Sequence, residues 1–213
     1  MQVADPDPRL LSALTTEHFV LQSAINATVS EAGARSTLYM MALSSSLVAV
    51  GFLAPSSEAL MPFLSIVLPT LFMLGVFTVI RLIDTALEAQ QFQAGIARVH
   101  SRYRALSPEA AQAFAPHLQR WPETDHEPSL GLGRFMALLG TSATMIACTN
   151  NLLAGAGVAL LLAQGFHAER TPAVLAGLLA FAVLSVAFYA FERWRFDHMK
   201  PRLGQFMPMK SRG

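Results

Sequence analysis

Few residues in this chain are of types that do chemistry in apolar surroundings, and most of them fall in one stretch. Positions 143, 147, 151, 155, 159 and 163 are Ala, Ala, Asn, Gly, Ala and Ala, so every fourth residue is small or polar. Thr141, Thr144, Cys148 and Thr149 lie beside this stripe, and Asn150 and Asn151 sit near its middle. Residues four apart share one face of a helix. An Asn amide in hydrocarbon needs a hydrogen-bond partner or water. Two readings suit the pattern. Thr144, Cys148, Asn150, Asn151 and Gly155 form either a seam on which helices approach closely, or the polar wall of a pore or ligand cavity.

The remaining chemical groups carry less. Cys148 is the only cysteine, so no internal disulfide or multi-cysteine metal site is expected, and it reads as a small packing residue. Asp125, His126 and Glu127 cluster, but a metal site needs more ligands held rigidly, and the cluster reads as a solvated loop. Gly131-Leu132-Gly133 lacks the preceding strand of a dinucleotide fingerprint. No nucleophile has an evident base partner. An enzyme is therefore not expected, and neither is a cofactor. Transporters and pumps keep ionisable groups inside their spans; here Arg81 and Asp84 sit only at the end of one, placed to pair or snorkel. Proton-coupled transport is disfavoured.

These residues are positioned by an unusually apolar chain. Of 213 residues, 53% are hydrophobic and 14% charged, where a soluble domain carries about 25% charged residues. Mean hydropathy is +0.43. No Asp, Glu, Lys, Arg or His falls in 36–57, 59–80, 135–166 or 171–191. Roughly 20 apolar residues cross a bilayer. This excludes a soluble globular enzyme, a disordered chain and a secreted disulfide scaffold. The expected fold is all-α and polytopic, with four transmembrane helices in two hairpins. Spans are expected at about Ser36 to Ala54, Pro62 to Ile83, Phe135 to Gln164 and Ala173 to Phe191. Asp5, Asp7 and Glu17 interrupt the first residues, so no cleavable signal peptide is expected.

Charge placement orients the spans. Of the 15 Lys and Arg residues, all but Arg170 lie in the N-terminal arm, the central segment or the tail. The positive-inside rule then puts both termini and the central segment in the cytoplasm of a cell with an inner (plasma) membrane. The organisation reads as a cytoplasmic amphipathic helix (1–35), a transmembrane hairpin (36–83), a cytoplasmic helix and Pro-rich linker (84–134), a second hairpin (135–191) and a basic tail (192–213). Net charge of +1 implies no nucleic-acid partner.

Leu14, Leu21, Ile25, Thr28 and Ala32 make a weak heptad seam, and Phe92, Ile96, Val99, Tyr103 and Leu106 make another. These seams predict two helices that leave the first hairpin on the same side and pair, within the chain or between copies. Glu31 precedes Arg35 by four, the favourable order for an ion pair. Span two should run on as one rod to about Ala105, and Ser107-Pro108 should start another short helix. Pro69 and Gly75 are candidate hinge positions in span two. Ser44, Ser45 and Ser46 are placed to face the seam of span three. Tyr189 and Trp194 mark the interface where span four ends, and with Arg81 and Asp84 they read as interface anchors.

The stretch Thr28-Val-Ser-Glu-Ala-Gly-Ala-Arg-Ser-Thr-Leu-Tyr, the following Leu-Ser-Ser-Ser-Leu-Val-Ala, and Leu68-Pro-Thr-Leu-Phe-Met-Leu-Gly-Val-Phe-Thr-Val-Ile-Arg-Leu-Ile-Asp resemble small membrane proteins of high-GC bacteria, over roughly residues 17–106. The layout of helix, two-span hairpin and helix is also similar to SLATT-type membrane effector domains. That resemblance implies a pore-forming, channel-like effector. Four spans without a mid-membrane ionisable group do not easily enclose a conduit alone, so a homo-oligomer with Asn150 and Asn151 at its lumen is the expected form. The alternative is a non-catalytic membrane scaffold or regulatory subunit, binding a cytoplasmic protein through the helical extensions. The lipid bilayer is the expected surrounding in both cases.

Overall fold

A computed structural model describes residues 7–54, 57–113, 141–166 and 168–204, and these are all-α. Helix α1 runs Pro8–Leu53, α2 Ser57–Arg104 and α3 Pro108–Ala113. Helix α4 runs Ser142–Leu160 and continues as a π-helical turn, Leu161–Gly165, and α5 runs Arg170–Gly204. Four of these helices are long and apolar enough to cross a membrane, and each overlaps one of the four expected spans. In hydrocarbon a helix satisfies its own backbone hydrogen bonds, which is why the charge-free runs take this form.

The local signals account for several boundaries. Rod α2 ends at Arg104, one residue short of the expected Ala105. The Ser107 hydroxyl then accepts from the Ala110 N–H at 3.0 Å and caps α3. In the described part of the third span the helix is α4. Thr141 has an extended backbone, and its hydroxyl accepts from the Thr144 N–H, so the helix starts at Ser142. Residues 135–140 lie outside the described residues, as do Asp125, His126, Glu127 and the Gly131-Leu132-Gly133 run. Helix α5 passes the end of span four into the basic tail.

Contacts divide the chain into two compact units. One comprises Met1–Ser30, Thr85–Ala137 and Phe196–Gly213, the other Glu31–Asp84 and Leu138–Arg195. In the first unit the start of α1 lies antiparallel to the end of α2. The Thr15 hydroxyl is 2.9 Å from the Tyr103 hydroxyl, His18 stacks near His100, and Gly95 seats the Leu21 side chain. The expected pairing of the two extensions is therefore made within one chain. Ala94 and Val99 are buried there, as is Thr28.

The second unit holds the four spans. Its core includes Tyr39, Leu71, Val79, Ile83, Ile146 and Ala173. Large apolar side chains such as Phe52, Ile66, Leu179 and Val186 point outward, the arrangement expected for helices solvated by lipid. Two ion pairs join helices at one end of this unit. Arg81 donates to both oxygens of Glu31, at 2.8 and 3.0 Å, and Arg35 shares that carboxylate at 2.8 Å. Arg195 pairs with Asp84. The expected i,i+4 pair of Glu31 with Arg35 thus forms. Arg81 and Asp84 do more than anchor: Arg81 ties α2 to α1, and Asp84 ties α2 to α5.

Two guanidiniums beside Glu31 hold its carboxyl down at about 2, against an ordinary 4.5. A depressed carboxylate adds stability above its unfolded pKa, which is lost as pH falls through the folded value. Solvent screening keeps the contribution modest. Glu31→Gln is expected to lower the thermal unfolding midpoint at neutral pH. The difference from wild type should shrink below pH 4.5 and vanish near pH 2. A constant difference across that range would contradict the assignment.

Candidate functional site

The small-residue stripe of α4 lies inside the second unit. Ala143 and Ala147 are buried, as are Asn151 and Gly155 on the same face. Ile146 and Asn150 extend the buried surface to the adjacent ridge. Each polar or glycine position meets a particular neighbour.

Asn150 is 2% exposed and reaches two other helices. Its Oδ1 accepts from the hydroxyl of Tyr39 on α1 at 3.3 Å, and Tyr39 is fully buried. Its amide also lies against Gly75 of α2. A Cβ added at Gly75 would stand 2.1 Å from Asn150 Oδ1 and 2.3 Å from Cγ. Gly75 is therefore a notch that receives a side chain, a task the hinge reading did not assign. Pro69 lies inside the uninterrupted α2 helix, as Pro62 does. Membrane helices tolerate such prolines where hydroxyls and neighbouring helices satisfy the freed backbone groups. The Ser65 and Thr70 hydroxyls donate to the neighbouring carbonyls of Pro62 and Ile66, not to the Glu58 and Ser65 carbonyls that the prolines free.

Asn151 turns toward α5, donating from Nδ2 to the Ser185 hydroxyl at 3.3 Å. One turn further on, α4 and α5 touch backbone to backbone. A Cβ on Gly155 would lie 2.6 Å from the Gly177 carbonyl oxygen, and one on Gly177 would lie 2.5 Å from that of Gly155. Gly177 was missed in reading the sequence, although Ala173-x-x-x-Gly177 is a small-x-x-x-small signal. Ala173, at 1% exposure, continues the same face.

The other expected members separate from this group. Thr144 belongs to the start of α4, where its hydroxyl is 2.9 Å from that of Thr141. The Thr141 hydroxyl donates to Glu192 Oε1 at 3.5 Å. Glu192 is 1% exposed, and its Oε2 has no hydrogen-bond partner among the described residues. It lies one residue past the charge-free run, so hydropathy alone gave no sign of its burial. A carboxylate at a helix N-terminus is favoured by the helix dipole. Cys148 is exposed. Ser44 and Ser45 are exposed as well, and Ser45 and Ser46 bond the carbonyls of Met41 and Ala42. The expected contact of these serines with the seam is therefore corrected: Ser44 and Ser45 face outward. Tyr189 is half-buried, and Trp194 is 52% exposed with its ring 6.2 Å from Phe191.

An apolar cavity of about 490 Å³ lies between α2 and the end of α4. Leu64, Leu68, Phe72, Leu153, Val158 and Leu161 line it, with Ser65 and Gln164 as its polar groups. It suits hydrocarbon and offers no acid, base or nucleophile pair. Among the described residues no group of three His, Cys, Asp or Glu could hold a metal ion.

The two glycine contacts differ in what yields. Gly75→Ala meets a side chain, and overpacking of this kind costs roughly 1–3 kcal/mol. With Asn150→Ala in the same chain the combined loss is expected to be clearly smaller than the sum of the two single losses. Gly155→Ala meets a backbone carbonyl, so no side-chain truncation on α5 should rescue it. Unfolding of the single and double variants in lipid nanodiscs checks both statements, and additive effects for Gly75 and Asn150 would refute the notch. Comparison with family models, curated proteins and solved structures gave no match to this chain.

Proposed function

We propose that this chain is a non-catalytic scaffold or regulatory subunit of a membrane, with both termini in the cytoplasm, that engages a cytoplasmic protein through its helical extensions. One observation carries the choice over a pore: the amides of Asn150 and Asn151 are spent on Tyr39 and Ser185 of the same chain. An Asn that lined a lumen would keep its amide for water or ions. Gly155, another member of the candidate polar wall, is closed by the Gly177 carbonyl. Orientation rests on the distribution of Lys and Arg.

A second reading keeps the oligomeric pore but moves its lumen. Thr37, Ser44 and Ser45 are exposed on the face of α1 that carries Met40 and Met41. Exposed hydroxyls on a span are candidates for a contact between copies.

Native mass spectrometry of protein released from nanodiscs, with ion flux in liposomes, separates the two. The scaffold reading expects a monomer or dimer and no flux above empty liposomes. A closed oligomer of four or more copies with flux would overturn it. In that case Ser44→Leu should alter the current, and Asn151→Leu should leave it unchanged in protein that still assembles.

A further inference from the structure

The helix pair in the first unit carries two histidines that no part of the proposed function uses. His18 of α1 and His100 of α2 face each other with ring centroids 5.4 Å apart and planes inclined by 34°. His100 is 8% exposed, and His18 is half-buried with Phe19 edge-on at 6.0 Å. One turn away, the Thr15 and Tyr103 hydroxyls also meet across this pair, at 2.9 Å. Two imidazole rings thus occupy the helix contact itself.

We propose that this pair is a pH-sensitive latch, closed while the buried His100 is neutral and released when acid puts a charge on it against His18. Neutral rings stack without electrostatic cost. A proton on His100 puts a positive charge into a buried helix contact, where the loss of solvation opposes it. The charged groups that act on His100 are His18 across the pair and Arg104 one turn along α2. Both oppose a further positive charge. Glu17, the neighbouring acid on α1, is exposed. Burial first, then His18 and Arg104, push the His100 pKa below its ordinary 6.5. A base whose folded pKa is depressed gives stability above the unfolded value, and this is lost as pH falls through the folded value. The latch therefore opens on the acid side of pH 6.5, within the range over which histidine switches operate. The inference stands whether the chain is a scaffold or a pore, because it concerns only the helix pair.

The test uses the full chain in lipid nanodiscs with Cys148→Ala removing the native thiol. Spin labels go on Gln22→Cys and Gln93→Cys, both exposed positions on the paired helices. The label–label distance distribution is measured by pulsed EPR at about pH 7.5 and about pH 5. The expected result is a short, narrow distribution at the higher pH and a longer, broader one at the lower. His18→Gln with His100→Gln should hold the short distance at both values. His100→Gln alone serves if the double variant does not fold, because it removes the buried group that gains the charge and should also abolish the lengthening. An unchanged distance in the wild-type background would overturn the latch. So would the same lengthening in the histidine variants, since other groups would then be responsible.

Discussion

Asn150 is the contact on which the arrangement of spans depends. In lipid the hydrophobic effect does not press helices together, because the surrounding tails are as apolar as the side chains. Association must come from close packing and from hydrogen bonds withheld from the bilayer. Asn150 supplies both at one point, with its oxygen on Tyr39 and its amide group in the notch at Gly75. The neighbouring Asn151 directs the same stretch of helix toward Ser185, and the Gly155–Gly177 contact closes that side. Consecutive residues thus face different neighbours, which fixes the rotation of α4 about its axis.

Polar atoms in the spans are handled by two different routes. Hydroxyls such as those of Ser45, Thr70, Thr78 and Thr149 bond the carbonyl one turn back on their own helix and need no neighbour. Amides are too demanding for that solution and are placed where another helix supplies a partner. Charges are kept to the ends, where Glu31, Arg81, Asp84 and Arg195 join helices without entering the apolar interior. Glu192 is the exception, buried at the start of α4 with the Thr141 hydroxyl at one oxygen.

Much of the fold was legible because its signals are long or local. Charge-free runs marked the spans, Ser107-Pro108 marked α3, and the four-residue stripe marked the buried face of α4. The partners on that face were less legible. Tyr39, Gly75 and Ser185 are far from Asn150 and Asn151 in sequence, and no periodicity says which helix a polar group will meet. Glycine is ambiguous in the same way: Gly75 reads equally as a hinge or a notch until the neighbouring side chain is known. Arg81 and Asp84, one turn apart, suggest each other, yet each finds a partner on a different helix. The histidine pair gave no local signal, since His18 and His100 lie on separate helices and only the antiparallel register brings them together.

The dependence of Asn150 on Tyr39 and Gly75 also bears on the order in which the chain is made. Synthesis is vectorial, and domains form from the N-terminus onward. The residues of α1 and α2 that receive Asn150 are complete before Asn150 itself is synthesised. While they wait, a glycine notch asks nothing of the bilayer, since a lipid tail fills it, and the phenol of Tyr39 is largely apolar. The costly amide arrives last, when both of its neighbours are already in place. An inverted order, with the Asn on the first hairpin and the notch on the second, would leave an unpartnered amide in hydrocarbon throughout elongation. The order of the residues along the chain thus places the receiving surface first and the amide that needs it second.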